Sequence, residues 1–211
     1  MRKQSEILEI MQIFARENPN PQCELKFHNP YTLLVAVVLS AQSTDKGVNK
    51  ATEALFKIAD TPQKMLDLGE EKLKEHIKTI GLFNNKAKNI MLLSRQLVEK
   101  FDGVVPADRD TLTTLAGVGR KTANVVMNVW YHQPTLAVDT HVMRIAHRLD
   151  FSKGKTPLEV EQDLMKVLPE NMVINTNHWL VLFGRYICKA QKPLCEKCPI
   201  KDYCKSKDKL I

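Results

Sequence analysis

The chain has 211 residues and a hydrophobic fraction of 44%, so it can fold as one large or two small globular domains and is too apolar to be disordered. Its 31 Lys and Arg against 24 Asp and Glu give a formal charge of +7, which suits a polyanionic partner such as nucleic acid or an acidic membrane surface. Residues 1–14 carry no secretory signal, and the longest uncharged run, residues 29–44, is shorter than the roughly 20 residues of a membrane span, so we expect a cytoplasmic protein.

The spacing of apolar residues predicts one helix after another. The first is amphipathic and ends at Asn18-Pro19, and the uncharged run is typical of a buried core helix introduced by Asn29-Pro30. The predicted helices span residues 6–14, 31–41, 51–58, 62–68, 70–80, 86–101, 109–115, 120–131, 140–149, 157–167 and 175–188. The sequence contains no convincing run of alternating apolar and polar residues, so the predicted fold class is all-α.

Two segments of the chain resemble each other. Residues 78–91 can be aligned with residues 113–126, and the alignment places Lys86 opposite Lys121. Each segment ends one helix, turns through small or flexible residues and begins a second helix with its lysine near the N-terminus. The match is weak as a repeat, but it indicates two helical hairpins of related shape.

The second of these hairpins contains Gly117 and Gly119. Glycines allow backbone dihedrals that other residues avoid, and they let the backbone approach a ligand closely. Because the turn leads into a helix, its N–H groups and the positive end of the helix dipole would face a phosphate, and a DNA backbone is the natural candidate. Val118 is expected to pack inward and fix the turn. An ordinary tight turn remains the alternative, whereas a P-loop is excluded because Arg120 separates glycine from lysine.

A lysine at the start of a helix is a candidate nucleophile. The helix dipole disfavours the ammonium form there, and a neutral amine can form a Schiff base with an aldehyde-like carbon. Lys121 and Lys86 occupy equivalent places in the two hairpins, so local position does not choose between them. Either lysine could instead be a solvated residue or one that contacts phosphate.

Asp139, which follows an apolar run, is a second candidate for a functional residue. Asp139 precedes a predicted helix, so it is expected to cap that helix, and its carboxylate could also assist a lysine or stabilise positive charge on a sugar. Both functions can hold at once. His141, two residues later, is expected to be a structural residue or one that contacts phosphate.

The most specific pattern is a set of four cysteines near the C-terminus, with the spacing Cys-x6-Cys-x2-Cys-x5-Cys. In a chain without a secretory signal, metal binding ranks above two disulfides. Four thiolates can hold either zinc or an iron–sulfur cluster, and the single Cys-x2-Cys pair favours a cluster because structural zinc sites more often have two such pairs. The four are Cys188, Cys195, Cys198 and Cys204. Cys23 stands apart and is expected to be a plain thiol.

Taken in order, five pieces of the chain resemble the endonuclease III family of DNA glycosylases. They are residues 39–45, residues 80–83, residues 115–124, residues 138–141 and the cysteine cluster. The resemblance implies a helix-hairpin-helix protein that acts as a monomer on damaged double-stranded DNA. It implies a six-helix domain at residues 23–133, a second helical domain at residues 1–22 plus 134–211, and a DNA-binding cleft between the two.

The same resemblance implies roles for individual residues in base-excision repair. Lys121 would attack the anomeric carbon of a flipped nucleotide, Asp139 would help to activate it, and β-elimination would nick the strand 3′ to the lesion. Gln42 and Leu82 would fill the gap that the nucleotide leaves, and Gly117, Val118, Gly119, Arg120 and His141 would contact DNA. The four cysteines would be ligands of a 4Fe–4S cluster. The expected substrates are oxidised or ring-damaged pyrimidines and abasic sites.

One position departs from the family pattern and two other functions compete. Ala116 stands where the family usually has proline, so the hairpin is expected to be slightly less rigid. Adenine-mismatch glycosylases usually lack the lysine and carry a glutamate before the Gln42-like position, whereas no carboxylate lies between Tyr31 and Gln42 here. The other alternative is a non-catalytic DNA-binding module with a structural zinc.

Overall fold

The computed structural model describes residues 1–210, and Ile211, the last residue of the predicted second domain, lies outside them. Eleven α-helices and two short 3-10 helices account for all the regular structure in the described residues, which confirms the all-α prediction. The chain divides into two compact units. One is Cys23–His132, and the other combines Met1–Gln22 with the residues from Gln133 onward.

The unit Cys23–His132 contains seven helices around one apolar core. They are α2 (Pro30–Ser40), α3 (Asp45–Ile58), α4 (Pro62–Leu68), α5 (Glu70–Ile77), α6 (Phe83–Phe101), α7 (Arg109–Leu112) and α8 (Arg120–Val129). Helix α2 is its central element, because every residue from Tyr31 to Leu39 is buried. It begins at a capping box in which the Asn29 side chain accepts from the Thr32 N–H, and it packs against α3, α6 and α8.

Helix α6 connects the edges of this unit. It packs against α2, α4 and α5, and its buried face includes Ile90, Leu93 and Leu97. The short helix α7 packs against α8, so the chain passes from α6 through α7 into the glycine turn and on to α8. The two lysine-bearing turns identified in the sequence therefore belong to the same unit.

The second unit contains four α-helices and both 3-10 helices, Cys195–Lys197 and Lys201–Tyr203. The α-helices are α1 (Gln4–Glu17), α9 (Thr140–Arg148), α10 (Pro157–Val167) and α11 (Glu170–Tyr186). Helix α11 packs against α9 and α1, and the Phe14 and Phe183 rings meet edge to face with their centroids 5.0 Å apart. The N-terminal segment is tied to this unit by Arg2, whose buried side chain donates from Nε to the Leu149 carbonyl at 2.9 Å.

The predicted helices all have counterparts, and the ends differ where capping was not recognised. Two helices, Pro62–Leu68 and Pro157–Val167, match their predicted ranges because a threonine cap and an N-terminal proline mark each start. Helix α3 begins at Asp45 rather than 51, since the Thr44 hydroxyl accepts from the Gly47 N–H at 3.2 Å. Helix α11 begins at Glu170 rather than 175. None of the helices in residues 1–210 has the length and apolar character that crossing a membrane requires.

Candidate functional site

The glycine turn before α8 depends on its two glycines in different ways. Gly117 has a φ of +75°, and a Cβ placed on it would lie 2.9 Å from the Cβ of Asn89 on α6, so no other residue fits without strain. Gly119 has an ordinary extended backbone with φ of −91°, and a Cβ there would meet open space. The prediction of unusual dihedrals is therefore confirmed at Gly117 and wrong at Gly119. Val118 is buried between them, as predicted.

The N-terminus of α8 is open to an anion. Gly119 is the N-cap residue and has no side chain with which to bond the first N–H groups, and the first turn of the helix contains no acidic residue. The backbone N–H groups and the positive end of the dipole are therefore available to a phosphate. Arg120 and Lys121, the first two residues of α8, are both exposed.

Helix α6 holds the turn in place through a side chain that sequence reasoning missed. Gln96 accepts a hydrogen bond at 2.8 Å from the backbone N–H of Ala116, and its amide nitrogen lies 3.4 Å from the carbonyl oxygen of Thr114. The bond to Ala116 requires an N–H, which proline lacks. Residue 116 therefore gains a tether that a proline at the same position would not have, and the expected loss of rigidity is offset.

Lys86 and Lys121 lie in different environments. The Lys86 side chain is 5% exposed, and its Nζ donates to the Leu39 carbonyl and to the Ser43 hydroxyl, both at 3.0 Å. Burial lowers the pKa of Lys86. Lys121 is exposed beside the glycine turn. Of the two lysines that the sequence left open, Lys121 can therefore reach a large substrate and Lys86 is committed to bonds within its own unit.

Gln42 and Leu82 lie on adjacent turns of the unit Cys23–His132. Both are exposed, and both have a left-handed backbone, with φ of 54° and 59° respectively. A Cβ placed on Gly81, the neighbour of Leu82, would lie 3.8 Å from the carbonyl oxygen of Gln42. The fold therefore brings together two residues that the sequence separates by 40 positions, and it holds each at the tip of a turn.

Asp139 is the N-cap of α9, as predicted. Its Oδ1 accepts from the N–H groups of His141 and Val142, both at 2.8 Å. Its Oδ2 lies 3.0 Å from the ring Nδ1 of His141. The side chain of Asp139 is 15% exposed, so the carboxylate is held in one orientation and still reaches solvent. Its contact with the His141 ring was not predicted; the spacing in Asp-Thr-His at a helix start is the signal that could have indicated it.

The four C-terminal cysteines line one cavity, and all of them are free and partly buried. Its apolar wall includes Leu149, Phe183 and Ile200. Burial raises the pKa of Cys188, and it raises the pKa of Cys198 to about 11, so the neutral thiol is favoured at these two positions unless a positively charged centre binds them. Because all four sulfurs line the same cavity, one group could be bound by all of them.

The donors in this cavity fit an iron–sulfur cluster. Four cysteine sulfurs line one cavity, and four thiolates are the usual ligands of such a cluster. Four thiolates can also bind zinc, so the single Cys-x2-Cys pair remains the feature of the sequence that favours a cluster.

Two arginines on α9 hold the cysteine loop, residues 188–204, and neither was predicted from the sequence. Arg144 donates to the carbonyl oxygens of Gly184 at 2.8 Å and Cys188 at 3.2 Å. Arg148 donates to the Lys189 carbonyl at 2.7 Å and to the sulfur of Cys188 at 3.4 Å. These bonds tie the first cysteine of the loop to α9, the helix that Asp139 caps.

Comparisons of the sequence and of the structure with known proteins agree on one family. Residues 35–170 match the family described as HhH-GPD superfamily base excision DNA repair protein, and residues 188–204 match the iron-sulfur binding domain of endonuclease III. Endonuclease III of Haemophilus influenzae is 53% identical over 96% of each chain. That of Escherichia coli is 51% identical over the same shares. A solved structure of a trapped endonuclease III–DNA covalent intermediate superimposes with a TM-score of 0.92 at 46% identity, covering 97% of each chain.

Proposed function

The chain belongs to the endonuclease III family of base-excision DNA-repair proteins, and we propose that it excises oxidised or ring-damaged pyrimidines through Lys121. It is a DNA glycosylase with AP lyase activity, and its partner is damaged double-stranded DNA. The observation that carries the proposal is the exposure of Lys121 beside the glycine turn, in contrast to the burial of Lys86.

The chemistry follows from an amine at this position. The Nζ of Lys121, once it has lost a proton, attacks the anomeric carbon of the damaged nucleotide, and the bond to the base breaks as the base leaves with a proton. The sugar ring opens to give a Schiff base between the lysine and the former anomeric carbon. Loss of a proton from the neighbouring carbon then expels the 3′ phosphate, and water releases the enzyme. The covalent intermediate trapped for the solved relative supports this route.

We assign the carboxylate of the reaction to Asp139. Its negative charge stabilises the cationic character that the sugar acquires as the base leaves, and it favours transfer of the proton from the attacking amine. Capping α9 and contact with the His141 ring fix the orientation of the carboxylate. We assign the remaining ring nitrogen of His141, Nε2, to a contact with DNA.

The glycine turn supplies the contacts that position the strand. Backbone N–H groups of Gly119 and Arg120 bind a phosphate at the start of α8, where Gly119 leaves room for close approach. The Val118 N–H donates to the Leu115 carbonyl at 3.1 Å and holds the turn instead. Val118 anchors the turn from inside, and the charge of Arg120 adds to the attraction. Gln42 and Leu82 occupy the space left in the duplex when the damaged nucleotide leaves the stack, which lowers the cost of unstacking.

The protein carries a 4Fe–4S cluster, and we assign its ligands to Cys188, Cys195, Cys198 and Cys204. These cysteines would hold the cluster and, with it, the segment between residues 188 and 204. Eight of the last 27 residues are basic and three are acidic, so this part of the chain presents positive charge to phosphates. Protein that contains the cluster should be brown and should absorb light at about 400 nm. A Cys195→Ala variant that keeps the full absorbance, with Cys23→Ala as its control, would contradict the ligand assignment.

We propose that the protein acts as a monomer, and that it acts on DNA in the cytoplasm and, in a bacterium, at the nucleoid.

The test of the proposed function is borohydride reduction of the protein on a duplex that contains one oxidised pyrimidine. The parent should form a covalent adduct with the DNA, whereas Lys121→Ala should form none and lose strand cleavage while it still binds the duplex. An adduct of full yield with Lys121→Ala would move the nucleophile elsewhere, and no adduct in the parent would remove the lysine mechanism.

A further inference from the structure

Two strained turns present the residues that we assign to the gap in the duplex. The first runs from Ser40 to Ser43, whose N–H donates to the Ser40 carbonyl at 3.0 Å. Ala41 has φ of −57° and ψ of 117° and Gln42 has φ of 54°, which is the pattern of a type II turn with glutamine where glycine is usual. In the second turn, Leu82 is left-handed and caps the start of α6.

Lys86 makes contact with both turns. Its Nζ bonds the Leu39 carbonyl, just before the first turn, and the Ser43 hydroxyl, at the end of that turn. Its backbone N–H donates to the carbonyl of Leu82 at 3.1 Å. A single residue therefore fixes both ends of the turn that carries Gln42 and is bonded directly to Leu82.

The arrangement buries the ammonium group of Lys86, and burying a charged group costs free energy. The side chain is 5% exposed, and an ammonium group loses hydration when it is buried. Part of the cost is offset because the Leu39 carbonyl is among the last of α2, at the negative end of that helix dipole. An apolar side chain of similar length would fill the same space without the cost, so packing alone does not account for a lysine here.

We propose that Lys86 is a positioning residue for base extrusion: its ammonium holds the Gln42 turn against the Leu82 turn, so that both side chains enter the duplex together. This inference rests on the proposed function of Gln42 and Leu82. Lys86 itself does not touch the reacting atoms. Without the clamp, the two turns can move independently, and the gap left by an extruded nucleotide is filled less well.

The test compares Lys86→Met with Lys88→Met, which removes an exposed lysine two residues along the same helix. Each variant is assayed for excision of an oxidised pyrimidine from an intact duplex and from a duplex with a one-nucleotide gap opposite the lesion. Lys86→Met should lose roughly ten- to hundredfold in rate on the intact duplex, since small misplacements of positioning groups have effects of that size. The loss should shrink on the gapped duplex, where no opposite base needs support. Lys88→Met should match the parent on both.

Two further measurements separate positioning from structure. A 2-aminopurine placed opposite the lesion should brighten less on binding of Lys86→Met than on binding of the parent, while the free energy of unfolding of the variant should be no lower. Ser43→Ala removes only the bond to the turn and leaves the bond to Leu39, so it should give a smaller loss with the same dependence on the gap. It also provides the test if Lys86→Met does not fold.

The outcomes distinguish this inference from the proposed function. If the parent forms no adduct with damaged DNA, the proposed function fails. If the parent is active and both Lys86→Met and Ser43→Ala excise from intact duplex as fast as Lys88→Met does, the positioning role of Lys86 is wrong. Equal losses on the intact and gapped duplexes, together with a lower free energy of unfolding, would likewise overturn it and make Lys86 a structural residue.

Discussion

The two lysine-bearing turns of the unit Cys23–His132 are similar in sequence, but the first buries its lysine, Lys86, and the second exposes its lysine, Lys121. Aligned by sequence, Leu82 and Gly117 occupy equivalent places, and both are left-handed. In the first turn, α6 begins directly after Leu82. In the second, two more residues pass before α8 begins after Gly119.

Relative to the left-handed residue, α8 begins two residues later than α6 does, and this difference determines the direction in which each lysine faces. Lys86 is the fourth residue of α6, whereas Lys121 is the second residue of α8. Two residues correspond to about 200° of rotation around a helix, so the aligned lysines face nearly opposite directions. The fourth residue of α8 is Ala123, which is buried as Lys86 is. The position of each lysine within its helix, rather than the residues around it, therefore separates Lys86, which holds the Gln42 turn, from Lys121, which we assign as the nucleophile.

The sharpest test of this difference is chemical reactivity of the two amines in the free protein. With an amine-selective reagent at limiting concentration, Lys121 should be labelled faster than Lys86 by at least about a hundredfold, because Lys86 reacts only after local opening. Mass spectrometry of the digested protein measures both rates in one sample, and unfolding in denaturant should make them equal. Comparable rates in the native protein would show that Lys86 is not held as the structure has it.

A second test addresses the left-handed residue of the glycine turn. Gly117→Ala should lower the free energy of unfolding by about 2–4 kcal/mol, because it combines a left-handed backbone with a contact of 2.9 Å to Asn89. Gly119→Ala is the matched control and should change it by less than about 0.5 kcal/mol, since its backbone is ordinary and its surroundings are open. Urea denaturation of both variants makes the comparison. Equal destabilisation would mean that the turn is not built as described.

A third test concerns the tether between α6 and this turn. Gln96→Ala should lower the free energy of unfolding by about 1 kcal/mol, the usual contribution of one such hydrogen bond. Arg95→Ala, an exposed neighbour on the same helix, is the control and should have little effect. The Gln96 variant should also bind duplex DNA more weakly than the parent does. If the two variants behave alike, the bond from Ala116 does not restrain the turn.

The sequence was sufficient for much of the architecture. Apolar spacing predicted every α-helix but neither 3-10 helix, and a threonine followed by proline marked two of the α-helices to the residue, at Thr61 and Thr156. The all-α class and the inward packing of Val118 were also predictable, because they depend on periodicity and on the chemistry of single residues. What the sequence did not provide were contacts between elements distant in the chain.

One choice between residues and two contacts show why. The choice between Lys86 and Lys121 depends on where a helix begins after a left-handed residue, and a residue pattern does not fix that to within two positions. Gln96 meets Ala116 across 20 residues, and Arg148 meets Cys188 across 40, so neither pair has a local signature. Each depends on how one helix packs against another segment of the chain.

The central claim, that Lys121 is the nucleophile, is tested most directly by locating the bond to DNA. The borohydride-reduced adduct with a damaged duplex is digested with nuclease and protease, and the modified peptide is sequenced by mass spectrometry. We predict that the residual sugar is attached to the side chain of Lys121 and that Lys86 is unmodified in the same digest. Attachment to Lys86, or to any amine other than Lys121, would contradict it.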